Sequence, residues 1–156
     1  MRLGELSELA QVIGAIAVVI SIVYLAVQIR QNTRALGLSV HHAITDANAQ
    51  ILALLAQDPD LARLFRIGAG DYKALVDDDR SRFNCLLHRI FLTFEDGFYH
   101  LRVGALPAPM SERFSRVLPS YLNQPGVRAW FDSQKHLMSD DFVKYVQFEV
   151  LPKIKK

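Results

Sequence analysis

Thiol chemistry is nearly absent from this chain: of its 156 residues one is cysteine, Cys85. A single thiol excludes an intrachain disulfide and a cysteine-rich zinc site, and it fits a reducing compartment. An excess of one charge is missing as well. Eighteen Lys and Arg face sixteen Asp and Glu, a formal net of +2. Such balance gives no long-range field to gather a nucleic-acid backbone, so no nucleic-acid partner is expected. There is no G-x-S-x-G, no P-loop, no G-x-G-x-x-G and no H-E-x-x-H pattern, which removes the best-marked routes to hydrolase, nucleotide or zinc-protease chemistry. Alternating apolar and polar runs of strand length are also wanting, as are internal repeats, and the expected class is all-α. Half of the residues are apolar, so disorder is not expected.

What the chain does have is oil at one end. Leu9 to Ile29 holds 21 residues without a charge, with Gln11, Ser21, Tyr24 and Gln28 the polar exceptions. As a helix this run rises about 31 Å, which matches a hydrocarbon core of about 30 Å. A strand of that length could not satisfy its backbone in lipid, whereas a helix can. A cleaved signal would want a basic start and a small-residue cut site, but "MRLGELSELAQ" sets Arg2 against Glu5 and Glu8 and no A-x-A follows. A soluble core helix would show one polar face, and here every face is apolar over five turns. The reading is a membrane anchor over residues 1–30 and a cytoplasmic helical domain over 31–156. Arg30 and Arg34 just past the span place the C-terminal side in the cytoplasm, hence the inner (cytoplasmic) membrane.

Inside the span, Ala10, Gly14, Ala17 and Ser21 recur at steps of four, three and four, and Tyr24 and Gln28 extend the stripe. Small residues let a second helix come close, and Ser or Gln can hydrogen-bond across the contact. The expected partners are therefore the lipid bilayer and either a second copy or a different protein, joined through this helix.

Beyond Arg34 the apolar positions Leu36, Val40, Ile44, Ala47, Ile51, Leu54 and Leu55 keep a helical period, so the helix is expected to run to about Gln57, with Gly37 a weak point. "QDPD" supplies an N-cap, Asp58, and a first helical residue, Pro59, for a short helix that stops at "GAG". "DDD" opens the next, to about Val103, with Phe83, Leu87, Ile90, Phe94 and Leu101 as its core stripe and Gly104 as its cap. Helices from Met110 (broken or kinked at Pro119), from Pro125 and from a Ser139 cap complete an irregular bundle of about five further helices.

Chemistry-bearing residues gather on the aromatic helix. His88, Glu95 and Arg102 are spaced by sevens and share one stripe, with Asn84 and Tyr99 beside them. Together they could hold a small anion or exchange a proton, or simply form a polar seam. Two turns separate neighbours, too far for direct bonding. Asp96 and His100, four apart, form a surface pair. Neither they with Glu95 nor His41 and His42 with Asp46 have metal-site spacing, so no metal or cofactor is expected. Cys85 reads as a small buried hydrophobe, and Trp130 and Phe131 as core. The terminal lysines, 144, 153, 155 and 156, could touch anionic lipid or be a solvated end.

The stretches "AIAVVISIVYLAVQIRQNTRAL", "AQDPDLARLF", "FEDGFYHLRVGAL" and "PGVRAWFDSQKHLMSDDF" resemble a widespread set of bacterial membrane proteins with one N-terminal membrane helix and a helical cytoplasmic domain. The resemblance covers most of the chain in order and implies the anchor and the all-α class. It carries no activity and no catalytic residue. The expected function is non-catalytic, an accessory, scaffold or interaction protein. The alternative is a small-ligand or catalytic helical domain with its pocket near His88, Glu95 and Arg102. A soluble protein that dimerises through its first helix is the third reading.

Overall fold

A computed structural model describes residues 3–106 and 108–154, with the side chains of residues 3–10 and of Arg34 outside that description. Ala10 of the small-residue stripe and Arg34 of the basic flank are thus described by backbone alone, and Lys155 and Lys156 lie outside the described residues. Among the described residues there is no strand, and six α-helices succeed one another: α1 Leu3–Gln57, α2 Pro59–Gly70, α3 Asp77–Arg102, α4 Ala108–Leu122, α5 Pro125–Gln134 and α6 Asp140–Tyr145. The all-α expectation holds. The chain divides into two compact units after Leu38.

The first unit is the leading part of α1. Gly37 does not interrupt the helix. Every described side chain from Gln11 to Thr33 is exposed, on all faces. Two hydroxyls within it turn inward on their own backbone: Ser21 donates to the Ala17 carbonyl (2.8 Å) and Thr33 to that of Ile29 (2.9 Å). Back-bonding of this kind lets a hydroxyl sit in apolar surroundings without an outside partner.

The second unit, Ser39–Lys156, carries the core. Asp58 caps α2 as its sequence dictates, its carboxylate accepting from Leu61 N–H at 3.0 Å, and Pro59 fills the first turn. "GAG" is the last turn of α2, not the turn after it, because Gly68 packs the helix end against the start of α5. Three aspartates stabilise the positive end of α3. Its other end closes in a Schellman turn: Ala105 N–H bonds the His100 carbonyl, Gly104 N–H bonds that of Leu101, and Gly104 takes φ 69°, where only glycine is unstrained.

α3 is the axis of the core. Phe91 is fully buried, with ring centroids 5.0 Å from Trp130, 5.6 Å from Phe131 and 5.8 Å from Phe94. Phe94 passes the contact to Tyr121 and Phe114 of α4, and Phe98 passes it to Phe142 and Tyr145. Fully burying each such ring stabilises by about 1.5–3 kcal/mol. The buried face is wider than the expected stripe, since Leu86, Phe91, Gly97 and Phe98 are buried along with it and Leu101 only half so. The outward face is Cys85, Arg89, Leu92, Asp96 and Tyr99, at steps of four and three. Cys85 is therefore exposed and not a core residue. Pro119 does not end α4, which starts at Ala108 and runs through it to Leu122.

Candidate functional site

His88, Glu95 and Arg102 all lie on α3. His88 and Glu95 are half-buried and Arg102 is exposed. Each neighbouring polar group answers to a different part of the fold. Glu95 Oε1 accepts from Ser139 N–H at 2.7 Å, across 44 residues. Arg102 stands over the Phe98 ring, 5.7 Å from its centroid. Asn84 accepts from the Tyr72 hydroxyl at 3.0 Å, and Tyr99 faces solvent. None of His88, Glu95 and Arg102 lines the cavity bounded by α1, α3 and α4 or either of the two open grooves beside α5.

The Glu95 contact revises the capping of α6. Ser139 occupies the N-cap position, but its own side chain makes no capping bond; its own amide, a separate donor, is bound by a carboxylate from α3. Glu95→Ala is expected to lower the stability of the helical domain by about 1–2 kcal/mol, since the amide loses a charge-assisted partner. Urea melts of parent and variant would check it. Loss below a few tenths of a kcal/mol would mean the contact is not formed in solution.

The second unit does contain one concave site that the polar pattern did not announce. Between the Ile44–Asn48 stretch of α1, the Thr93–Gly97 stretch of α3, and α4 lies a cavity of about 50 Å³. Its walls are mostly apolar, with Phe94, Leu106, Met110 and Phe114 among them, and Arg113 lines it from α4. Thr45 is among the lining residues, its hydroxyl buried and without a hydrogen-bond partner, and the neighbouring Asn48 amide donates to the Ile44 carbonyl at 2.8 Å. Gly97 creates part of the space: a Cβ there would come within 3.1 Å of the Phe114 ring. A sequence signal did exist, in the small residues Thr93 and Gly97 one turn apart on a helix otherwise crowded with rings. The volume suits a group of a few non-hydrogen atoms.

Titration adds no acid or base here. Burial raises the Tyr121 phenol, and burial together with the Glu149 carboxylate raises that of Tyr145, so both stay protonated at neutral pH. Asp96 and His100 form the expected surface pair at 3.6 Å. His41 and His42 meet edge to face, and His41 Nδ1 lies against the Met110 sulfur. Among the described residues no three His, Cys, Asp or Glu side chains assemble a metal site.

The other candidate surface is the first helix itself. Gly14, Ala17, Ser21, Tyr24 and Gln28 of the small-residue stripe are all exposed, and a Cβ on Gly14 would meet nothing within 4 Å. Of the described helices, α1 is the one long and apolar enough to cross a membrane. Comparison of the chain with family models, with curated proteins and with solved structures finds no match.

Proposed function

We propose that this chain is a single-pass protein of the inner (cytoplasmic) membrane whose helical domain, in the cytoplasm, serves as a non-catalytic accessory or scaffold. The observation that carries the reading is the exposure of an uncharged helical run on every face. Val12, Ile16, Val19, Ile20 and Val23 are each more than half exposed, and none of the span is buried within the chain. A helix that served as the core of a soluble domain would be covered by its own chain; this one needs an outside apolar phase. Lipid supplies that phase, and the stripe from Ala10 to Gln28 is where another helix, from a second copy or a different protein, packs.

The test has two parts. The full chain should float with vesicles and resist carbonate extraction; recovery in the supernatant without detergent would sink the anchor. Gly14→Leu should weaken association in mild detergent, read by cross-linking or by co-purification of a tagged with an untagged copy. Because nothing in its own unit touches that position, the effect would report on a partner. Unchanged association would remove the stripe as an interface.

The ligand-binding alternative is favoured by one observation, the unpartnered Thr45 hydroxyl beside that cavity. A cavity of this size would take a small uncharged group that accepts or donates one hydrogen bond.

A further inference from the structure

The last helical stretch carries buried side chains at strict four-residue intervals, Phe142, Val146 and Val150, which are 0%, 0% and 4% exposed. In an α-helix each such step overshoots a full turn by about 40°, so two in succession carry the third side chain off the common face. The chain corrects the drift by widening. Val146–Val150 forms a π turn in which Leu151 N–H bonds the Val146 carbonyl, five residues back. Phe148, midway between the last two buried valines, is thereby turned outward. At 75% it is more exposed than any other large apolar side chain among the described residues.

Charge is gathered around it. Lys144 lies four residues earlier and is exposed, Lys153 comes after it and is exposed, and Lys155 and Lys156 continue the sequence. From residue 144 onward there are four lysines and one acid, Glu149; the preceding 143 residues carry fourteen basic and fifteen acidic side chains. The whole positive excess of the chain thus sits in its final thirteen residues. A phenyl ring flanked by lysines has the chemistry of an interfacial anchor: the ring buries at the headgroup/acyl boundary and the ammonium groups face anionic headgroups.

We propose that the segment Lys144–Lys156 docks on an anionic lipid surface, with Phe148 inserted and its lysines against the headgroups. The proposal rests on the membrane-anchored reading, which holds the segment near a bilayer and so lets a small contact suffice. A second copy of the chain fits less well, because a self-complementary contact here would set lysine against lysine. An uncharged protein groove would leave the ammonium groups without partners.

The experiment uses the full chain with Phe148→Trp in vesicles, with acyl-brominated phosphatidylcholine as the quencher. The substitution is conservative at an exposed site, and Trp130, fully buried, gives the background measured in the parent chain. With phosphatidylserine present, the added emission is expected to be quenched; in pure phosphatidylcholine, or at 1 M salt where the screening length falls to about 3 Å, it is not. Lys144→Glu and Lys153→Glu should each reduce the docked fraction, by about fivefold per lysine removed. A chain that floats with vesicles while the new tryptophan is never quenched overturns the docking and leaves the anchor intact. Equal quenching with and without phosphatidylserine overturns the role of the lysines. Failure to float with neutral vesicles defeats the anchor instead, and quenching on anionic vesicles then still decides the docking.

Discussion

Gly126→Ala is expected to unfold the helical domain or bring it close to unfolding, a loss of about 4 kcal/mol or more out of a typical 5–15. The reason is backbone meeting backbone. A Cβ on Gly126, in the first turn of α5, would overlap the Gly68 carbonyl oxygen and lie 2.9 Å from the carbonyl of Ala69. Neither partner is a flexible side-chain tip that could swing aside. The only relief is to separate α2 from α5, and that would pull Trp130 and Phe131, both fully buried, out of contact with Phe91. Gly68→Ala strikes side chains instead, Leu75 and Phe83 at 2.7 Å. Those too are buried, so a smaller but real loss of about 1–3 kcal/mol is expected. Gly70→Ala, with open space around the added carbon, is the control and should cost nothing. Circular-dichroism melts of the three variants check the series. A Gly126→Ala domain melting within a few degrees of the parent would show that α2 and α5 stand further apart in solution.

That contact also shows where sequence reading stops. Asp58-Pro59, the three aspartates at Asp77 and Pro125 announce helix starts because capping and proline chemistry act within one turn. Gly104 announces a stop for the same local reason, and the uncharged run of α1 needs only counting. "GAG" is different. Glycine breaks a helix by default, and the fact that keeps Gly68 helical is the backbone of Gly126, 58 residues away. Ser139 holds the N-cap position without a capping bond from its hydroxyl, and the carboxylate that binds its own amide comes from Glu95 of α3, 44 residues back, which no local pattern announces. Cys85 lies outside the core although its chemistry suits the inside, because apolar character alone does not say which side of a two-sided helix a residue takes. The steps from Cys85 to Arg89, Leu92, Asp96 and Tyr99 do, once Phe91 and Phe98 are known to lie inside. The candidate site was the least legible. Of the polar residues spaced by sevens, Glu95 and Arg102 serve separate structural contacts, while the cavity is marked by the absence of a side chain at Gly97.

Removal of residues 1–38 is expected to move the protein from the membrane pellet to the supernatant with its fold intact. The remaining unit, Ser39–Lys156, holds every residue of the buried core, including Ile51 on the retained part of α1. Its cooperative melt and the blue-shifted emission of Trp130 should therefore survive the cut. On the membrane-anchored reading, the lost segment contributes the attraction for lipid. Leu9 to Ile29 holds twelve Leu, Ile and Val side chains, each favouring the bilayer by about 0.3–0.6 kcal/mol, a gross sum on the order of 5 kcal/mol, or roughly five thousandfold in partition. A gentler variant asks the same question without shortening the chain. Val19→Lys places one charge near the middle of the span at a cost of about 3 kcal/mol, and should leave a mixed population between pellet and supernatant. If the truncated domain instead aggregates or loses its melt, the leading helix is covered by the domain's own surface in solution. Its exposed valines and isoleucines would then be one half of a soluble interface, and lipid would have no part in holding them.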